Sequence, residues 1–199
     1  MQFVDVVGAR RMVRSFSTRP VDPEIVDRIV ALAARAPAAG NTQALDVVVL
    51  EGEQTNRYWS TTLSEERRAA FPWPGLLRAP VLLIPLVQPA EYVRRYSEPD
   101  KASTGLGEGE EQWPIPYWYV DGAFAAMVML LATVDVGLGA CFFGQFEHED
   151  ALRHEFGWPS DRRALGTIAL GWPDEEQRLS KSAQRKRKPM EQLLHRGGW

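Results

Sequence analysis

A chain of 199 residues with 45% hydrophobic and 25% charged side chains can bury a core without staples, and its single cysteine, Cys141, excludes an intrachain disulfide framework and fits a reducing cytoplasm. Net charge is −3, yet residues 181–188 (KSAQRKRK) carry five basic groups and no acid, which leaves 18 basic against 26 acidic groups elsewhere. That balance excludes a polyanion binder of the basic-surface kind, so no nucleic-acid partner is expected. In chain order, GARRMVRSF (residues 8–16) reads as a short amphipathic helix bearing Arg10, Arg11 and Arg14 with no acid to balance them. STRPVDPEIV is turn chemistry running into a helix, with Asp22 as N-cap and Pro23 as first helical residue. Ile25, Ile29, Leu32, Ala33 and Ala36 then keep helical spacing until Pro37. DVVVLEG and APVLLIPLV (residues 79–87) read as buried strands, separated by a polar helical segment around QTNRYWSTTLSEERRAAF.

Residues 89–118 are charged, then glycine-rich, then aromatic, with little periodicity, and are expected to be a structureless insert, either a lid or binding loop or else disordered. The apolar run GAFAAMVMLLATV, bracketed by Asp121 and Asp135, is shorter than the roughly 18 residues that span a bilayer, so it reads as a buried helix over about 120–134 and no membrane partner is expected. GLGACFFGQF is a turn and short strand, EHEDALRHEF an acidic-started helix, and ALGTIALGWP a last strand. The order predicts one α+β domain over residues 1–199, a sheet covered by helices, with 181–199 as a C-terminal arm.

The usual catalytic motifs are missing. No G-x-x-x-x-G-K-[ST] or G-x-S-x-G occurs. GLGEGEE and GLGACF do not complete a dinucleotide fingerprint and read as loop and turn glycines. His148, His154 and His195 lack metal-ligand spacing, so no metal is expected, and Cys141 in an apolar run reads as core. The two basic clusters read on their own as solvated charge; guanidinium groups are nevertheless the side chains best matched to phosphate, which two converging clusters could share.

The segments RRMVRSFSTRPVDPEIVDRIVALAARAPAAGNTQ, RAPVLLIPL, DGAFAAMVMLLATVDVGLGACFFGQF, LGTIALGWP and RKRKPMEQLLH, in this order, resemble the nitroreductase family of FMN-dependent NAD(P)H oxidoreductases. The opening is similar to the family's R-R-S-x-R-x-F start and A-P-S-A-x-N-x-Q segment. The resemblance implies a nitroreductase-like α+β fold, a central, mostly antiparallel sheet flanked by helices, in an intertwined homodimer with FMN in a cleft at its interface. It places Arg10 and Arg11 on one side of the flavin phosphate and Arg185 and Arg187 on the other. It puts Arg14 near the pyrimidine edge of the ring, where a fixed positive charge would stabilise the anionic reduced flavin. Ala38, Ala39 and Asn41 match the segment that packs against the ring, often from the partner subunit, with Gln43 shaping the same wall; the backbone amides of Gly144 and Gln145 match donors toward flavin N5 and O4.

Three features depart from the family pattern. Met12 stands where a serine hydroxyl usually helps to hold the cofactor; NTQALD, with Ala44 and Leu45, replaces N-x-Q-P-W; and the Asn and Lys that some members place near the ring have no clean match around Asn56 and Arg78. The implied activity is hydride transfer from NAD(P)H through FMN to a nitroaromatic or quinone, with no catalytic side chain because the flavin carries the chemistry. Trp113, Tyr117, Trp118 and Tyr119 are expected to form a lid or acceptor wall, or else to pack the insert against the core. The alternatives are a specialised member with a dedicated substrate, and a flavin-binding module without turnover.

Overall fold

The computed structural model describes residues 1–175, 177–178 and 180–199. Five strands form one antiparallel sheet: β1 (Leu45–Glu51), β2 (Val81–Val87), β3 (Gly139–Phe143), β4 (Arg163–Ala164) and β5 (Thr167–Gly171), in the order β1-β2-β5-β3 with β4 also against β2. Around it lie α1 (Phe3–Ala9), α2 (Pro23–Ala33), α3 (Glu53–Thr62), α4 (Glu65–Ala69), α5 (Pro89–Tyr96), α6 (Tyr117–Asp135) and α7 (Glu149–Phe156).

Every residue of β2 is buried, which is why its sequence is a continuous apolar run rather than an alternation. Val81 and Leu83 face Ile29 of α2 and Met129 and Leu130 of α6; Leu82, Ile84 and Leu86 face Tyr58 and Trp59 of α3 and Leu152 of α7. Pro85, which has no N–H to give, falls in the gap between the residues paired to β5 (81–83) and those paired to β4 (86–87). A third, smaller core of Ala44, Val87, Tyr92, Trp113 and Trp118 closes one end.

Several expectations are corrected. Residues 10–16 are not helical: α1 ends at Ala9 and the chain runs extended beside β3, with Val13 N–H donating to Ala140 O at 2.9 Å and Phe16 N–H to Gly75 O at 3.1 Å. Val13 and Phe16 are buried, so packing against the sheet outweighs local helix propensity. In α2, Asp22 caps as expected, accepting from Glu24 N–H at 2.9 Å, but Val26, Ile29 and Ala33 face inward and Leu32 is 45% exposed. The α-helix stops at Ala33, and a tightened turn carries the chain on to Ala36, whose N–H donates to Ala33 O at 3.0 Å and whose side chain packs partly buried against the core.

Residues 89–118 are not structureless either: α5 takes the first eight, and short 3-10 turns lead into α6. Helix α6 is longer than the apolar run suggests, 19 residues with mean hydropathy 1.4, so length and composition alone would let it cross a membrane. Half of that span is buried against α2 and the sheet, as in a core helix.

Candidate functional site

The N-terminal and C-terminal basic clusters meet because the segments before them are tied together. Ser17 N–H donates to Trp172 O at 2.9 Å, Asp174 N–H to Ser15 O at 3.0 Å, and the Gln177 side-chain amide to the same oxygen at 2.6 Å. Arg78 locks the crossing, donating to Phe16 O at 3.0 Å and to Asp174 Oδ2 at 2.5 Å. From there the chain passes over residues 10–14, and a cavity of about 540 Å³ opens between Arg10, Arg11, Met12, Arg14, Arg178 and Arg187, with Glu175, Gln177, Ser180, Ser182 and Ala183 completing its wall. Arg185 is exposed and outside that wall. Met12 turns its sulfur back to the sheet, accepting from Phe142 N–H at 3.4 Å.

A second cavity, of about 330 Å³, has a different character. Tyr58, Trp59, Phe71, Trp73, Phe143 and Phe146 line it, together with Arg14, Gly144 and Gln145. Trp59 and Phe143 stack with centroids 5.7 Å apart and planes 17° from parallel. Arg14 belongs to both cavities; its guanidinium lies 5.3 Å from the Trp73 ring, which Arg178 approaches at 5.0 Å. At Gly144 a Cβ would come within 2.8 Å of the Phe146 ring, and Phe146 holds a left-handed φ of 47° while 84% exposed.

Beneath this cavity runs a buried polar chain. Gln145 Nε2 donates to Thr167 Oγ1 at 2.9 Å, and the Tyr58 hydroxyl is 2.8 Å from the same oxygen. Burial pushes the Tyr58 phenol above its ordinary range, outweighing the opposing hydrogen bond to Thr167, so it stays protonated. Gln145 Oε1 and Trp59 Nε1 are buried with no partner among the described residues. Cys141, in the same wall, is buried and its thiol is raised by desolvation against the weaker pull of Arg14, so it is no thiolate nucleophile.

The remaining predicted residues lie elsewhere. Ala38, Asn41 and Gln43 border a separate cavity of about 170 Å³ with Tyr92 and Asp121, and Ala39 sits in the same turn. They do not line the basic or the aromatic cavity that Arg14 borders. Trp113 and Trp118 are buried with Tyr92 and Tyr96 in edge-to-face contacts, whereas Tyr117 and Tyr119 are 41% and 37% exposed; these four also stay clear of both cavities. Sequence reasoning passed over Arg178, which stands in no motif, and Trp73, for which the aromatic between two prolines in FPWPG was the available signal.

Three likenesses bear on this arrangement. The chain is 27% identical over 202 residues to the nitrobenzene nitroreductase of Ectopseudomonas oleovorans, a match covering 85% of this chain and 86% of that one. Its fold matches the nitroreductase family protein of Streptococcus pneumoniae TIGR4 with a TM-score of 0.76 at 18% identity, covering 98% and 100% of the two chains. It also matches an FMN-dependent nitroreductase of Clostridium difficile R20291 with a TM-score of 0.68 at 17% identity, covering 98% and 99%. The nitroreductase family model matches residues 7–172, which takes in the sheet and the first arginine cluster and stops short of the arm, and the chain belongs to that family.

Proposed function

We propose that two copies of this chain bind FMN between them and pass reducing equivalents from NAD(P)H to an electron-poor acceptor of nitroaromatic or quinone type. The observation that carries this reading is the junction of two unlike cavities at Arg14. One is walled by guanidinium groups, which match a phosphate in charge and in donor geometry; the other is walled by aromatic rings, which suit a flat tricycle. A single ligand with an anionic end and a planar end fits both, and FMN is such a ligand.

Bound FMN would supply the centre that accepts hydride and hands it on. The chain's own share is to bind and orient. Arg10, Arg11 and Arg187, with Arg178 beside them, would hold the phosphate, joined by Arg185 as the family resemblance implies; Arg14 would keep a fixed positive charge at the junction. The backbone amides of Gly144 and Gln145 offer donors at the rim of the ring chamber, and Trp59, Phe71, Trp73 and Phe143 exclude water from it. No side-chain acid or base is needed for this chemistry.

A second copy is called for by exposed apolar side chains. Phe3, Val4 and Val7 of α1, Phe124 and Met127 of α6, and Met190, Leu193 and Leu194 of the arm are all at least 47% exposed, more than a lone chain leaves to water without cost. In a homodimer the turn bearing Ala38, Ala39, Asn41 and Gln43 serves the site of the other copy, which accounts for its distance from Arg14 in its own. The names of the relatives support the cofactor and acceptor classes, and the buried free thiol suits a cytoplasmic setting.

An absorption spectrum of the purified protein, with release and mass measurement of its chromophore, tests the cofactor; anaerobic NADH and NADPH and then menadione and nitrofurazone test turnover. The expected result is a yellow FMN protein that a nicotinamide bleaches and an acceptor recolours. Failure of both nicotinamides to bleach it would leave a binding module; bleaching without reduction of either acceptor would point to a dedicated substrate. Replacing both Arg185 and Arg187 by alanine should raise the FMN Kd about 10–100-fold, and an unchanged Kd contradicts the phosphate assignment.

A further inference from the structure

Asp121 is a carboxylate in the second turn of α6, only 7% exposed, and no part of the basic or aromatic cavity uses it. Its Oδ2 accepts from Ala39 N–H at 2.7 Å and from the Tyr92 hydroxyl at 2.9 Å. On the other side of the same turn, Arg95 of α5 donates through Nε to Gly40 O at 2.8 Å, while its two terminal nitrogens each reach an oxygen of Asp100 at 2.8 Å and Nη1 also reaches Glu98 at 3.0 Å. The turn is therefore gripped at two peptide groups, those of residues 38–39 and 40–41, by a buried carboxyl group and a fixed cation.

What they grip is an uncommon conformation. Gly40, Asn41 and Gln43 have φ of 61°, 55° and 54°, and the two that carry side chains hold such values only where the surroundings over-determine them. A Cβ at position 40 would come within 2.9 Å of the Tyr96 ring, so α5 closes on the turn with no room to spare. Burying a carboxylate to hold a short turn is costly where apolar packing would serve, which argues that the direction of the turn matters as well as its stability.

We propose that Asp121, Tyr92 and Arg95 are positioning residues that act across the subunit interface, holding the 38–43 turn of one copy in the shape that completes the flavin-ring chamber of the other. The proposal rests on the FMN-binding homodimer described above. It also gives the 89–118 insert its role: a brace behind the turn, with α5 and its aromatic packing as the strut.

The test uses full-length dimers carrying two different affinity tags. Arg95→Ala and Asp121→Ala should each raise the FMN Kd about tenfold or more, and Asp121→Asn, which keeps an acceptor for Ala39 N–H, should recover most of the affinity. Mixed dimers pairing one Arg185→Ala/Arg187→Ala subunit with one Arg95→Ala subunit then concentrate both defects in one site and leave the other whole. At free FMN that saturates wild type but leaves both parent variants mostly empty, they should hold about one FMN per dimer. A mixed dimer as empty as its parents, or wild-type FMN affinity in Arg95→Ala and Asp121→Ala, overturns the proposal. Should Asp121→Ala fail to fold, Arg95→Ala and its mixed dimer decide the matter alone. Wild type that binds no FMN, or sediments as a monomer, instead overturns the reading beneath it.

Discussion

Two groups of aromatic side chains sit at different ends of the molecule and behave oppositely. Around Trp113, the rings of Tyr92, Tyr96 and Trp118 pack edge to face with centroids 4.7–6.1 Å apart, and the indole N–H donates to Leu106 O at 3.0 Å. Around Trp59, the rings of Tyr58, Phe71, Trp73 and Phe143 enclose about 330 Å³, and both the Trp59 indole N–H and the Gln145 carbonyl are buried without a partner among the described residues. The first group satisfies itself. The second leaves space and hydrogen-bonding capacity unspent, a cost that a structure tolerates where a ligand is to arrive. Aromatic content alone therefore does not separate a site from a core; closure does. Trp158 Nε1 is a third buried side-chain group with no partner among the described residues; it does not line that cavity, and nothing in the structure explains it.

The contrast is broken most forcefully at Trp113. Trp113→Ala should cost about 3–5 kcal/mol in denaturant unfolding, as for a large ring removed from a packed cluster. A loss below about 1 kcal/mol would mean that the insert is not part of the core. Trp73→Ala should do the reverse. Trp73 is half-buried and approached by two guanidinium groups, so its loss should cost only about 1 kcal/mol of stability but weaken FMN binding about tenfold in a fluorescence titration. Equal effects of the two substitutions on unfolding would dissolve the distinction.

The smallest effect concerns the strut itself. Its hydrogen bond from Arg95 holds the Asp100 carboxyl below the usual carboxylate range. A carboxylate depressed in the folded state contributes stability that is fully present above its unfolded value of about 4 and is lost as pH falls through the lower, folded value. Asp100→Asn should accordingly lower stability slightly at neutral pH and leave the acid end unchanged, which flattens the acid limb; the effect is small because the group is exposed. An unaltered acid limb would show that Arg95 is held by Glu98 and Gly40 O alone.

Much of the fold was legible because its signals are local. The apolar run of β2, the Asp22–Pro23 helix start and the acidic start of α7 each follow from a few neighbouring residues. Legibility failed where a partner far along the chain decides. Arg10–Phe16 looks helical by spacing and is extended because Ala140 and Gly75 take its amides. The insert looks structureless because its order comes from rings that find one another across 92–118. At the candidate site, the arginine clusters were visible as composition; that residues 15–17 cross Trp172, Asp174 and Gln177, with Arg78 as the clasp, was not.

The sequence by itself determined four of the five strands, β4 (Arg163–Ala164) being read as part of the last one, most of the helices, the absence of a conventional acid–base or metal motif, and two arginine-rich ends in need of an anion. Only the tertiary structure decided that Arg187 and Arg10 wall one cavity, that Arg14 joins it to an aromatic one, and that the 38–43 turn lies away from both. The reason is physical: propensity and periodicity act over one or two turns of chain, whereas a binding site is a coincidence of surfaces set by long-range hydrogen bonds and packing.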